Sequence, residues 1–232
     1  MEHKTTIISM ATQKGGSGKT MLTHILGLAF TGKKEQKKVL LIDADVQGSL
    51  MVYDSYAKNA HNGDGHQSPF TLISSKLDTL FDLVKENYEK YDYIFIDIPG
   101  SLHAEGVRAA LYLCDFVFIP VLPDISDFHA AQTTMDYLNE IKAAKQKDGG
   151  ELKYFCFLNQ AEPNRISTKN LLAAWEAYKI PRVPKPLPRY EKYKNIKTDT
   201  INILDREIES WGPEEYGLNA FFDEIKNIIN NN

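Results

Sequence analysis

The chain has 232 residues, of which 43% are hydrophobic and 25% charged, and its net charge is −4. These values are typical of a soluble globular protein with a proper core, and the negative charge excludes an overall attraction to nucleic acid. The two cysteines, Cys114 and Cys156, lie in apolar runs and predict reduced core side chains of a cytosolic protein rather than a disulfide or metal site. No apolar run approaches the ~20 residues that span a bilayer.

Short apolar runs alternate with longer amphipathic segments along the chain. The runs typical of buried strands are Thr5–Met10, Val39–Ile42, Tyr93–Ile96, Phe116–Val121 and Tyr154–Leu158. Apolar residues at helical spacing predict helices over Met21–Thr31, Leu77–Tyr88, 103–113, Phe128–Ile141 and Leu171–Tyr178. Strands that are apolar on both faces and separated by helices predict one α/β domain over residues 1–232. Its sheet is expected to be twisted, mostly parallel and covered by helices on both faces.

The segment between the first strand and the first helix is typical of a phosphate-binding loop. Its sequence is Lys14-Gly15-Gly16-Ser17-Gly18-Lys19-Thr20. Glycines let backbone N–H groups surround an anion, and the following helix turns its positive end toward that anion. Lys19 is expected to reach the β- and γ-phosphates of a nucleoside triphosphate, and the Thr20 hydroxyl to ligate Mg²⁺. The strict pattern G-x-x-x-x-G-K-S/T fails, because Gln13 stands where its first glycine would fall.

Polar side chains stand where several of the predicted strands end. Asp43 and Asp45 follow one strand, Asp97 follows another, and Asn159 follows a later one. Because ligands of a parallel sheet bind at the carboxyl ends of its strands, these side chains are candidates to meet the phosphate loop. A lone Asp after a strand is more often a helix cap or turn former. Acids at two strand ends beside a phosphate loop favour an Mg²⁺–triphosphate site instead.

Three motifs in chain order resemble the ParA/MinD family of ATPases, which has a deviant Walker A loop often preceded by Gln. Lys14–Thr20 is similar to that loop. Asp43–Ser49 is similar to the family's D-x-D-P-Q-G segment, with Val46 in place of the usual Pro. Tyr91–Leu102 is similar to its Walker B region, Y-D-Y-I-I-I-D-T-P-P-S-L. The resemblance runs from about Thr5 to about Asp205 and implies a P-loop NTPase fold with ATP and Mg²⁺ as cofactors.

The resemblance also implies roles for single residues. Lys14 matches a signature lysine that crosses an ATP-sandwiched homodimer and contacts the partner's nucleotide. Asp45 matches the acid that orients the attacking water, so Lys14 and Asp45 are the predicted catalytic residues. Asn159 matches a residue that recognises adenine, and Met21 stands where many relatives have a second Thr. The metal site implied by the resemblance consists of Thr20, Asp43 and Asp97. The implied nucleotide contacts are Lys14, Gly15, Gly16, Ser17, Gly18, Lys19, Thr20, Met21 and Asn159.

A basic cluster follows the last of these predicted helices. Between Lys179 and Lys197 the chain has seven basic residues and one acid. Such a run is commonly a solvated surface segment, but Pro188-Arg189 falls where partition ATPases of this family carry residues for non-specific DNA binding. The predicted DNA contacts are Lys185, Arg189, Lys192 and Lys194. The resemblance implies a cytoplasmic, nucleoid-associated ATPase for plasmid or chromosome partition, released from DNA by a centromere-binding, ParB-like activator.

Two alternatives stay open at this point. One is a MinD-like regulator or positioning ATPase for a protein cargo, and MinD-like members bind membrane through a C-terminal amphipathic helix. Residues 199–226 hold eight acids and two bases, which favours a packing helix and no stable membrane association. The other alternative is an ATP-dependent carboxylate-activating enzyme such as dethiobiotin synthetase, which shares the fold but lacks a lysine acting on a partner chain.

Overall fold

In a computed structural model of the protein, the described residues are 4–32, 35–60, 68–162, 164–189 and 218–231. Within these ranges the strands are β1 (Thr6–Met10), β2 (Val39–Asp43), β3 (Thr71–Ser74), β4 (Tyr93–Asp97), β5 (Phe116–Val121) and β6 (Lys153–Leu158). The helices are α1 (Lys19–Thr31), α2 (Ser49–Ala60), α3 (Leu80–Asn87), α4 (Val107–Leu113), α5 (Ile125–Lys147), α6 (Ile166–Ala177) and α7 (Leu218–Asn231).

The strands form one six-stranded sheet in the order β3-β2-β4-β1-β5-β6, and every neighbouring pair is parallel. Because β1 lies between β4 and β5, the phosphate loop emerges near the middle of the carboxyl edge of the sheet. The register places Asp43 opposite Asp97, and Asp97 opposite Met10 at the end of β1. The acids predicted from two strand ends therefore lie beside the phosphate loop.

Helices cover both faces of this sheet, as the continuous apolar strands predict. Leu40 and Ile42 of β2 pack into the cluster on one face, which includes side chains of α3, α4, α5 and α6. Val39 and Leu41 pack into the cluster on the other face with side chains of α1 and α7. The strand is hydrophobic throughout because alternate residues enter different cores. The predicted α/β class is confirmed, whereas the extent of a single domain over residues 1–232 stays a prediction.

Two elements of the sheet region, β3 and α2, lack a clear sequence signal. β3 has four residues at the edge of the sheet, and all of them are exposed or half-buried. On α2, Leu50 is fully buried but the next two residues, Met51 and Val52, are 39% and 44% exposed. Neither segment therefore shows the regular apolar periodicity on which strand and helix prediction depends.

The C-terminal helix α7 packs on the sheet, as the acidic composition of this region predicts. Phe221 and Ile225 are fully buried, and the Phe221 ring lies 4.9 Å from the ring of Phe157 on β6. Lys226 pairs with Glu35 at 2.9 Å, which ties the helix to the turn before β2. The apolar face of α7 is thus used in the core. Within the described ranges, no helix has the length and apolarity needed to cross a membrane.

A buried histidine lies behind the phosphate loop, between α1 and α2. The His24 ring lies 5.4 Å from the ring of Phe70 and 6.3 Å from that of Tyr53. Its Nε2 is buried without a hydrogen-bond partner among the described groups. Burial lowers the pKa of His24 to about 4, and the nearby carboxylate of Asp54 opposes the shift. His24 is therefore neutral in the folded protein at neutral pH.

Replacing His24 with phenylalanine is expected to make the protein less sensitive to acid. The unfolded chain binds a proton at His24 near pH 6.5, but the folded chain binds it only near pH 4, so His24 lowers the free energy of unfolding as pH falls between these values. His24→Phe keeps an aromatic ring and removes that contribution, on the order of 2 kcal/mol near pH 4.5. Urea denaturation of both proteins at pH 7.5 and 4.5 measures the free energy of unfolding. The prediction is contradicted if wild type and His24→Phe lose the same free energy of unfolding between pH 7.5 and pH 4.5.

Candidate nucleotide-binding site

The phosphate loop is the turn between β1 and α1. Gly16 and Gly18 have φ angles of 76° and 86°, which side chains with a Cβ rarely adopt. A Cβ on Gly18 would also meet Asn159 Nδ2 at 3.2 Å, whereas one on Gly15 would meet nothing within 4 Å. The Gly18 carbonyl accepts the first helical hydrogen bond, from Leu22 N–H at 2.9 Å. The free N–H groups of the first turn of α1 therefore point toward the loop, as an anion site requires.

Lys19 is the first residue of α1 and is only 9% exposed. Burial lowers the pKa of its ammonium group, and the carboxylates of Asp97 and Asp45 oppose this shift. Its Nζ lies 3.5 Å from the position that a Cβ on Gly100, in the loop after β4, would occupy. The side chain therefore lies close to the ends of β2 and β4, where the motif predicts a contact with phosphates.

Asp97 is the last residue of β4 and lies opposite Met10, at the end of β1. It is fully buried, and neither carboxylate oxygen has a well-aligned hydrogen bond with any described residue. Burial raises the pKa of Asp97 to about 7, although the nearby Thr20 hydroxyl opposes the rise. Mg²⁺ commonly takes one or two protein oxygens and completes its shell with phosphates and water. Thr20 and Asp97 fit that role, while the described residues contain no cluster of three or more His, Cys, Asp or Glu that could hold a metal.

Asp97→Asn is expected to stabilise the nucleotide-free protein at neutral and alkaline pH. Because the folded-state pKa of about 7 lies above the ordinary value of 3.8, the stability linked to protonated Asp97 is complete below pH 3.8 and is lost as pH rises through 7. Asparagine does not ionise, so its advantage should reach roughly 2–4 kcal/mol at pH 8. Denaturation at pH 5 and pH 8 without Mg²⁺ measures this advantage, and the same difference at both pH values would contradict the explanation.

Asp43 ends β2 and uses its carboxylate on the backbone of its own loop. Its Oδ2 accepts hydrogen bonds from Leu50 and Met51 N–H, each at 3.1 Å, and its Oδ1 accepts from Asp45 N–H at 3.3 Å. Burial raises the pKa of Asp43, and these hydrogen bonds oppose the rise. Asp43 therefore joins the N-terminal turn of α2 to the end of β2. Its role near Mg²⁺ stays a prediction.

Asp45 lies in a tight turn between β2 and α2. Its Oδ1 accepts from Gln47 N–H at 3.0 Å, and its carbonyl accepts from Gly48 N–H at 2.9 Å. Gly48 has a φ of 61°, so the turn uses the freedom of glycine at this position. Val46, between them, is 98% exposed. The Asp45 carboxylate is half-buried and is close enough to Lys19 to interact with it electrostatically.

Lys14 extends from the phosphate loop to the start of α5. Its Nζ donates to Ser126 Oγ at 2.7 Å and forms an ion pair with Asp127. The Asp127 side chain is 2% exposed, whereas that of Lys14 is 38% exposed. Ser126 and Asp127 were not predicted as site residues, because their pattern after Asp124 signals only a helix start. Asp124 does cap α5, accepting from Ser126 N–H at 2.8 Å.

Asn159 approaches the phosphate loop from the end of β6. Its Nδ2 donates to the Ser17 carbonyl at 2.7 Å, and its Oδ1 accepts from Gln160 N–H at 2.9 Å. Asn159 is thus in the site, but these contacts do not test the adenine contact that the sequence predicts. Met21 is partly buried against the core cluster that contains Leu22, and its nucleotide contact stays a prediction.

The structure places part of the basic cluster beside β6. In residues 181–189, Val183 N–H donates to the Cys156 carbonyl and Leu187 N–H to the Leu158 carbonyl, both at 2.8 Å. This segment continues the hydrogen bonding of the sheet past β6. Lys185 is half-buried on it, whereas Lys192 and Lys194 lie outside the described residues.

The arginines of the basic cluster form ion pairs with glutamates. Glu162 Oε1 lies 3.0 Å from Arg165 Nη1 and 3.5 Å from Arg189 Nη1, so one carboxylate forms ion pairs with two guanidinium groups. Arg182 pairs with Glu176 at 2.8 Å. The positive charge at Arg182 and Arg189 is therefore partly compensated in the folded chain.

A glycine-rich loop between the first strand and helix of a parallel sheet, with Lys19 and Thr20 opening the helix, defines a P-loop nucleotide-binding protein. The family model described as "CobQ/CobB/MinD/ParA nucleotide binding domain" matches residues 8–200. The chain belongs to this family. The family resemblance predicted from the three motifs is thus confirmed.

Relatives of the chain include positioning and partition proteins. "Maintenance of carboxysome distribution protein A" of Halothiobacillus neapolitanus is 27% identical over 202 residues, which are 87% of this chain and 88% of that protein. The McdA–ATP complex of Cyanothece superposes with a TM-score of 0.73 at 19% identity, over 99% of this chain and 98% of that one. A plasmid partition protein of Borrelia burgdorferi gives a TM-score of 0.63 at 23% identity, over 86% and 99% of the two chains. At these identities the superpositions establish the fold.

Proposed function

We propose that the protein is a ParA-like partition ATPase, which hydrolyses ATP as a nucleotide-sandwiched homodimer and binds DNA non-specifically in that form. It works in the cytoplasm on the nucleoid and leaves DNA when a ParB-like activator stimulates hydrolysis. The observation that carries this proposal is the presence of two lysines with different surroundings in one loop. Lys19 is buried near Asp97, whereas Lys14 remains 38% exposed at the start of α5. One lysine suffices for phosphate binding, so the second is available for another role.

The chemistry of hydrolysis follows from the positions of the acids and of Lys19. The Asp45 carboxylate, fixed by its bond from Gln47 N–H, accepts a hydrogen bond from the attacking water and orients it. Lys19 stabilises negative charge on the β- and γ-phosphates. Thr20 and Asp97 would hold Mg²⁺, which would supply positive charge to neutralise the phosphates. The buried Asp97 carboxylate, whose oxygens have no well-aligned hydrogen bond with any described residue, supports this assignment.

Lys14 is the residue that makes ATP hydrolysis depend on a second chain. In a single chain its ammonium group is bound to Asp127 and Ser126. In the proposed dimer it exchanges these partners for the phosphates of the facing nucleotide, where a cation stabilises the charge that develops during hydrolysis. Hydrolysis is then confined to the dimer, and the cycle of ATP binding and hydrolysis becomes a cycle of assembly and release.

DNA binding is assigned to the basic segment beside β6, and Glu162 is expected to restrain it. Arg189 and Lys185 would neutralise backbone phosphates, and a dimer doubles their number. Glu162→Gln removes the carboxylate that pairs with Arg189 and should strengthen binding several-fold at low salt, while Arg189→Gln should weaken it by a similar factor. Fluorescence anisotropy with random-sequence duplex DNA measures both variants. If neither moves the affinity, Arg189 does not contact DNA.

The proposed function is tested by DNA binding in each nucleotide state. An Asp45→Ala variant should bind ATP without hydrolysing it and accumulate as a dimer on non-specific DNA, whereas the wild-type protein with ADP should bind weakly and as a monomer. Sedimentation with and without DNA measures both properties. Equal DNA affinity with ATP, with ADP and without nucleotide would contradict the partition cycle.

A second candidate keeps the same ATPase cycle but changes its cargo. The similarity to the protein named for carboxysome distribution, over most of both chains, favours a protein assembly as the object that is positioned. The DNA-bound dimer would then respond to an activator on that assembly rather than on a centromere. Affinity capture with the Asp45→Ala variant, with ATP present, separates the two cargoes by the activator that it retains.

A further inference from the structure

The phosphate loop is held on one side by a buried amide. Asn159 and Ser17 are each 1% exposed, and Asn159 Nδ2 donates to the Ser17 carbonyl at 2.7 Å. The other end of the amide is also fixed, because Oδ1 accepts from Gln160 N–H at 2.9 Å. Since one end requires an acceptor and the other a donor, the amide can satisfy both groups in only one orientation.

Asn159 is itself anchored on the rigid part of the fold. Its backbone N–H donates to the Val121 carbonyl at the end of β5 at 2.9 Å. Its Nδ2 lies 3.2 Å from where a Cβ on Gly18 would be, so the amide packs directly against the N-cap of α1. Ser17 and Gly18 immediately precede Lys19. The position of this amide therefore controls the backbone that leads into the buried lysine.

We infer that Asn159 is a positioning residue for the triphosphate: its amide holds the Ser17-Gly18 backbone in the conformation that receives phosphates, whatever base the nucleotide carries. A backbone carbonyl held by a buried donor cannot turn into the loop and repel the phosphates. The inference rests on the triphosphate binding of the proposed function, but on neither dimerisation nor DNA. It differs from an adenine contact in one measurable respect, because a loop held for phosphates acts equally on ligands that have no base.

The test compares Mg·ATP with Mg·tripolyphosphate, which has no base, by titration calorimetry. Asn159→Ala removes both hydrogen bonds of the amide. In Asn159→Ser the hydroxyl can still accept from Gln160 N–H but is too short to reach the Ser17 carbonyl. Both variants are expected to lose about tenfold in affinity for each ligand, so that the ratio of the two affinities stays at its wild-type value. Asn170→Ala, on the exposed side of α6, is the matched control and should change neither affinity.

A loss for ATP with unchanged tripolyphosphate affinity would overturn the inference and assign Asn159 to the base. Hydrogen exchange of residues 14–18 in the nucleotide-free protein gives an independent measurement. Exchange in this stretch should be faster in both variants than in wild type and the control, and equal exchange in all four proteins would also overturn it. If wild-type protein bound neither ligand, the proposed function would fail instead, and the exchange measurement would still decide the role of Asn159.

Discussion

Lys19→Ala is expected to lower the affinity for ATP by at least ~10²-fold, because the variant lacks a desolvated cation where the phosphates bind. The variant should remain folded. Without the ammonium group, the buried carboxylate of Asp97 keeps its proton to a higher pH and avoids an unpaired charge. Titration with a fluorescent ATP analogue measures the affinity. Lys85→Ala, on the exposed side of α3, is the control and should bind as wild type does. An affinity for Lys19→Ala within a few-fold of wild type would contradict the assignment.

Lys14→Ala is expected to bind ATP with an affinity close to that of wild type but to hydrolyse it about 10²–10³-fold more slowly. The reason is that Lys14 bonds to Ser126 and Asp127 in the single chain and is assigned to the nucleotide of a partner. Steady-state phosphate release under saturating ATP and DNA measures the rate. Turnover at the wild-type rate would instead favour a carboxylate-activating enzyme, which needs no lysine in trans.

The Lys14→Ala result needs one structural control. Removing the ammonium group leaves the buried carboxylate of Asp127 without its ion-pair partner, which can destabilise the fold by itself. The double variant Lys14→Ala/Asp127→Asn removes that carboxylate charge and should recover any lost thermal stability. Its hydrolysis rate should stay as low as that of Lys14→Ala. Recovery of the rate together with the stability would show that Lys14 serves folding rather than hydrolysis.

The features that could be predicted from the sequence are encoded locally. The continuous apolar runs that reach two cores predict a parallel sheet, and the glycines before Lys19 predict an anion-binding turn. The positions of Asp43 and Asp97 at strand ends predict that they meet, because parallel strands present their carboxyl ends at one edge. The register of β2 with β4 confirms this by placing the two residues opposite each other.

The features that escaped prediction depend on contacts between distant parts of the chain. Lys14 meets Asp127 across 113 positions, and Asn159 meets Ser17 across 142. The local sequence around Asp127 or Asn159 does not predict which distant residue each side chain will contact in the folded protein. Asp43 shows the same limit in another form. Its strand-end position is compatible with a metal contact and with a helix cap, and only the structure reveals its bonds to the first turn of α2.

In the proposed dimer, Lys14 acts on the nucleotide of the partner chain, whereas Asp45 acts on the nucleotide of its own chain. Mixing the two inactive variants Lys14→Ala and Asp45→Ala tests this directly. In a mixed dimer, one site combines an intact Asp45 with an intact Lys14 from the other chain. Random pairing makes about half of the dimers mixed with one intact site in each, so about a quarter of the wild-type ATPase rate should return in an equimolar mixture. A mixture as inactive as its components would contradict the claim, because a lysine acting within its own chain leaves every site of every dimer defective.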